Sequence, residues 1–125
     1  MNHVVTFLLT QNPDAAVHFY RDILGLTYLE DDGFALVFDM KGIKLRMSKV
    51  PEFRPAKHTV LGWETGDIAL DIAGLVKKGV SFEHYPNLGQ DEQGICTFPG
   101  GYKVAWFKDP DGNVLSISQH AATSG

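Results

Sequence analysis

Two stretches of this chain carry the same plan. His3 and His58, each at the start of an apolar run, are 55 residues apart. Gly25 and Gly79, each closing an amphipathic helical stretch, are 54 apart. A repeat of this size constrains the fold more than any single motif, because each copy must be one supersecondary unit with the same faces to bury. The 125 residues are therefore read as one domain made of two modules, about 3–50 and about 58–120, each written βαβββ.

In the first copy, residues 4–10 are rich in β-branched and apolar side chains and form a strand. Asn12-Pro13 opens a helix, with asparagine as the cap and proline at the first helical position. Ala16, Phe19, Tyr20, Ile23 and Leu24 fall on one helical face, and Gly25 supplies the left-handed stop. Strands follow at 26–30, 34–39 and 43–49. In the last of these Ile43, Leu45 and Met47 alternate with Lys44, Arg46 and Ser48, so one face is buried and the other is not.

The second copy opens with a strand at 58–64. Gly66-Asp67 starts a helix with the stripe Ile68, Ile72, Leu75 and Val76, and Lys77 and Lys78 sit where the helix dipole favours cations. Strands are expected at 80–85, 94–98, 102–108 and 114–119. Asp109-Pro110-Asp111-Gly112 has the residue order of a type I turn.

Composition narrows the function. A net charge of −4 argues against a nucleic-acid partner held by a basic surface. No stretch approaches the roughly 20 apolar residues that span a bilayer, so no membrane partner is expected. Cys96, the single cysteine, allows no intrachain disulfide, and the expected setting is the reducing cytoplasm.

Three segments carry a family resemblance: Ala16-Val17-His18-Phe19-Tyr20-Arg21-Asp22-Ile23-Leu24-Gly25, then Thr59-Val60-Leu61-Gly62-Trp63-Glu64 with its helix, then Ala105-Trp106-Phe107-Lys108-Asp109-Pro110-Asp111-Gly112-Asn113-Val114-Leu115. The chain resembles the vicinal oxygen chelate superfamily, the glyoxalase, bleomycin-resistance and extradiol-dioxygenase group, over about residues 3–119. The resemblance implies an α+β fold in which two tandem βαβββ modules form a curled mixed sheet around a cleft. It also implies a homodimer. It does not fix a reaction, since such a fold hosts several.

In metal-dependent members, four ligands come from the first and last strands of the two modules. Carried over, these positions fall on Val5, Lys44, Val60 and Ser116. Valine and lysine at three of them cannot form the His/Glu set of a nickel, zinc or iron site. No metal or other cofactor is therefore expected.

Strand parity then suggests what a cleft would present. If Val5 and Ser116 face inward, so do His3, Phe7, Val60, Glu64, Lys44 and Arg46. Arg46 suits a bidentate grip on a carboxylate or phosphate, with Lys44 as a point charge; the competing reading is a solvated strand face or ion pairs with Glu64 or Asp39. His58 and Trp106 complete the candidate ligand-binding set of Lys44, Arg46, Val5, Phe7, Val60, His58, Trp106 and Ser116. His3 and His58 lack a third metal ligand, and read as rim histidines at strand starts rather than as a metal site. The expected function is a metal-free protein that binds or sequesters a small anionic or aromatic molecule. The alternatives are a lyase or isomerase using Glu64 or His3 as base, and a protein-interaction module.

Overall fold

The computed structural model describes residues 1–120, and these divide into two compact units. The first unit holds Met1–Pro55 together with the Asp109–Asn113 turn; the second holds Ala56–Lys108 and the chain from Val114 onward. Each unit carries one four-stranded mixed sheet, so the fold is α+β with two tandem modules.

In the first unit, β1 (Val5–Thr10) leads into α1 (Pro13–Val17), which continues as a π-helical segment (His18–Ile23). Strands β2 (Thr27–Asp31), β3 (Ala35–Met40) and β4 (Ile43–Lys49) follow. The sheet order is β1-β4-β3-β2, with β1 parallel to β4 and the other pairs antiparallel. Leu45, Met47, Leu36 and Phe38 are buried on the helix side, where the Tyr20 ring packs 5.7 Å from that of Phe38.

The second unit repeats the arrangement. Its elements are β5 (Thr59–Glu64), α2 (Ile68–Lys77), β6 (Cys96–Thr97), β7 (Lys103–Lys108) and β8 (Val114–Gln119). The order is β5-β8-β7-β6, again with the first pair parallel and the rest antiparallel. Its core holds Ile68, Ile72, Phe107, Leu115 and Ile117. No helix among the described residues is long and apolar enough to cross a membrane.

Several details depart from the sequence reading. Asn12 precedes α1, yet its side chain makes no capping bond; its amide donates instead to Asp111 Oδ1 at 2.9 Å. The second helix does have its cap, Asp67 accepting from the Leu70 N–H. Val76, expected in the buried stripe, is 52% exposed. Residues 80–85 do not form a strand and make only an isolated bridge, Phe82 to Phe107. The reason lies in Gln90. Its amide donates to the carbonyls of Glu83 and Gly94, and its oxygen accepts from the Tyr85 N–H. A side chain thus satisfies backbone groups that a strand ladder would otherwise pair.

The glycines expected to stop the helices do so with positive φ, 78° at Gly25 and 97° at Gly79. That conformation costs glycine little and strains any other residue.

Candidate functional site

The Asp109–Asn113 turn gathers side-chain hydrogen bonds from β1, the helix and its own backbone. The Gly112 N–H donates to the Asp109 carbonyl at 3.0 Å, closing a four-residue turn where the sequence places one. Buried Asp109 also accepts from the Tyr20 hydroxyl, the Asn113 side chain, and the backbone N–H groups of Asp111 and Asn113. Burial pushes its carboxyl above the usual carboxylate range, against the pull of those hydrogen bonds. Burial likewise raises the Tyr20 phenol, and the Asp109 charge beside it adds to the effect. Asp111 accepts from the Thr10 hydroxyl, the Gln11 N–H and the Asn12 amide. The turn therefore ties the end of β1 to the start of the helix. The Asp109, Asp111 and Asn113 side chains are all engaged within the fold.

The sheet face away from the helix carries the residues that strand parity singles out. In the first unit Val5, Phe7 and Leu9 lie opposite Lys44, Arg46 and Ser48 in register, so the expected parity holds. The Phe7 side chain is 65% exposed. Arg46 is engaged locally: its Nη2 stands 2.7 Å from Asp32 Oδ2. Asp32, not Asp39 or Glu64, is thus its partner. Asp32 is held at a pKa of about 2, first by the backbone N–H groups of Phe34 and Ala35 and then by Arg46. Neighbouring Lys49 pairs with Asp31 at 2.8 Å. Lys44 is exposed beside Asp39 in register. His3 is exposed and precedes β1 rather than belonging to it.

In the second unit Trp106, Ser116 and Gly62 stand side by side across β7, β8 and β5. An irregularity in β5 between Thr59 and Leu61 sets Thr59 against Val114 and leaves exposed Val60 in the extra position. At this end of the sheet an open hollow of about 390 Å3 is lined by Lys57, His58, Thr59, Tyr85, Trp106 and Val114. Two of the expected ligand-binding residues, His58 and Trp106, meet there. Lys57, Thr59 and Tyr85 were not singled out by the sequence as members of a common site. Thr59 enters because of the irregularity in β5, and Tyr85 because its ring meets Trp106 edge-on at 5.7 Å.

Glu64 lies at the other end of β5. It lines a separate hollow of about 580 Å3 with Thr65, Gly66, Gln119 and His120. Six residues of extended chain, about 20 Å, separate it from His58.

The positions that the family resemblance marks for metal ligands do not suit a metal. Val5 and Lys44 are register partners in the first sheet. Ser116 faces Gly62 in the second, with Val60 near it in β5. Two valines offer no donor atom, and an ammonium repels a cation. Among the described residues, no three His, Cys, Asp or Glu side chains cluster to replace them.

Comparison with known proteins agrees with this architecture. The lactoylglutathione lyase of Agrobacterium tumefaciens is 20% identical, with 93% of this chain and 91% of that one covered at a TM-score of 0.69. A superfamily member from Sphaerobacter thermophilus DSM 20745 is 18% identical, covering 96% and 98% at 0.73. TnmS3, an antibiotic binding protein from Streptomyces sp. CB03234, is 25% identical, covering 97% and 98% at 0.69. None of the curated proteins compared matches the chain. The family model that does match spans residues 1–117, and by it the chain belongs to the Glyoxalase/Bleomycin resistance protein/Dioxygenase superfamily.

Proposed function

We propose that this protein is a metal-free binding member of its superfamily, one that holds or sequesters a small molecule without turning it over. The observation that carries the reading is the donor set at the four ligand positions: Val5, Lys44, Val60 and Ser116 leave no metal centre to polarise a substrate. The aromatic and polar lining of the His58–Trp106 hollow supports it, as does the likeness to an antibiotic binding protein.

Two measurements on untagged protein test this reading. Elemental analysis should find no stoichiometric nickel, zinc, iron or manganese. A thermal-shift panel of small carboxylates and aromatic compounds should contain ligands that raise Tm and are recovered unchanged. A stoichiometric metal that is lost in His3→Ala overturns the reading, as does a panel in which nothing binds.

A second reading is a lyase or isomerase that uses Glu64 as base. It is favoured by the placement of the Glu64 carboxylate and the His120 imidazole around one hollow, since such a pair suits proton transfer. Chemical change in a bound compound, abolished by Glu64→Gln, would select it.

We also propose a homodimer, supported by the apolar side chains of β1, where Val5, Phe7 and Leu9 are 37%, 65% and 40% exposed on one face. Such a row suits a second copy of the chain. Sedimentation as a monomer at micromolar concentration would refute it.

A further inference from the structure

We infer that the hollow at the residue 57–59 end of β5 takes a flat aromatic carboxylate, its ring against Trp106 and its carboxylate toward Lys57 and His58. The inference rests on the binding-protein reading above and names the ligand class for it.

The wall comes first. The Trp106 ring meets Tyr85 edge-on, 5.7 Å between centroids at 76°. The Glu83 N–H donates to the Trp106 carbonyl at 2.8 Å, which fixes the segment carrying Tyr85 against β7. On its other side Trp106 has Ser116 and then Gly62 as register partners. Neighbouring strands lie about 4.8 Å apart, so roughly 10 Å of sheet beside the indole carries only a hydroxymethyl group and a hydrogen. Gly62 leaves room for the Ser116 hydroxyl, which would stand 2.5 Å from a Cβ placed at position 62. The hollow itself is lined by Trp106 and Tyr85 with Thr59 and Val114, and such an aromatic wall admits a flat ring in stacked or edge contact.

The charge distribution sets the orientation. Lys57 and His58 both line the hollow, and among the described residues no carboxylate does. Lys108, at the same end of β7, is paired with Glu83 at 3.3 Å. Among the described residues no ion pair engages exposed Lys57. Glu64 is about 20 Å along the strand. The end of the hollow therefore offers the ammonium of Lys57, which attracts an anion and repels a cation, beside an imidazole that can donate an N–H. A volume of about 390 Å3 lies at the small end of the roughly 300–1,000 Å3 typical of ligand sites.

Calorimetry on the full chain with 2-naphthoate, 2-naphthol and 2-naphthylmethylammonium tests the inference. 2-Naphthoate should bind most tightly. Trp106→Leu should weaken it about tenfold, as loss of an aromatic contact and its buried area would, and Trp106→Phe should keep most of the affinity. Lys57→Glu, at an exposed position and with its fold checked by an unchanged Tm, should abolish 2-naphthoate binding and favour the ammonium compound. Equal or tighter binding of the neutral or cationic probe to the unaltered protein overturns the ligand class. Binding of 2-naphthoate that ignores both Trp106→Leu and Lys57→Glu overturns the location. Failure of all three probes overturns the inference too. The metal analysis and the broader ligand panel decide the binding-protein reading separately.

Discussion

The Tyr20 hydroxyl donates a 2.7 Å hydrogen bond to Asp109 Oδ2, joining residues 89 positions apart in a buried setting. Tyr20 comes from the π-helical segment, and Asp109 from the turn that also bonds β1 through Asn113 Nδ2 and the Leu9 carbonyl. Tyr20→Phe keeps the ring against Phe38 and removes one of the donors to a buried carboxylate. A hydrogen bond to a charged group contributes about 1.5–3 kcal/mol. Urea unfolding of Tyr20→Phe should show a loss within that range, without a change in m.

The same pair makes stability depend on alkaline pH. The folded-state pKa of Tyr20 is raised above its unfolded value of 10.0, by burial first and then by the Asp109 charge. A group raised in this way stabilises the fold fully below its unfolded pKa and loses that contribution as pH rises toward the folded one. Above pH 10 the unfolded chain sheds this proton while the folded chain keeps it. The loss from this one group is about 1.4 kcal/mol per pH unit. Denaturation curves between pH 9 and pH 11 should therefore fall more steeply for the unaltered protein than for Tyr20→Phe. Parallel curves would show that Tyr20 ionises without unfolding.

These relationships also show what could be read from the residues alone. The repeat of Gly25 and Gly79 and the parity of β1 and β4 are local patterns, and the sheets follow them. The π-helical segment is different. Its apolar positions match an ordinary helix, and Tyr20 is bonded to a residue far away in sequence. Asn12 failed as a cap for the same reason, because Asp111 competes for its amide from 99 residues away. At 80–85 the apolar alternation is present, but Gln90 takes the backbone groups that would have paired. In the site, His58 and Trp106 were legible as face residues. Their meeting with Tyr85 required the Phe82–Phe107 bridge and the Glu83 hydrogen bond, which no strand pattern announces. Arg46 reads either as an anion grip or as an ion-paired strand residue, and the pair it makes is with Asp32, in a turn outside the strand alternation, rather than with Glu64 or Asp39.

The Asp32 carboxylate supplies an acid-side prediction. Its pKa of about 2 arises first from the Phe34 and Ala35 N–H groups and only then from Arg46. A lowered carboxyl pKa stabilises the fold above the unfolded value, here 3.8, and that contribution is lost as pH falls toward the folded value. An NMR titration should place the Asp32 midpoint near 2. In Arg46→Ala it should rise only part of the way to 3.8, because the backbone donors remain. A full return to 3.8 would show that the guanidinium, not the turn, sets the value.

Gly62 is glycine for a steric reason that a mutant pair can isolate. Its backbone is not in the left-handed region, yet a Cβ there would stand 2.5 Å from Ser116 Oγ and 3.3 Å from the Ser116 carbonyl oxygen. Gly62→Ala must push the serine hydroxyl aside, and overpacking of this kind costs about 1–3 kcal/mol. Removing the hydroxyl as well relieves the closer contact and leaves the carbonyl one. Chemical denaturation should therefore find Gly62→Ala destabilised and Gly62→Ala/Ser116→Ala restored in part, with Ser116→Ala alone near the unaltered protein. The double mutant then measures the coupling between the two positions directly. Additive effects would mean that the hydroxyl rotates freely out of the way and that the strip beside Trp106 is wider than its register partners imply.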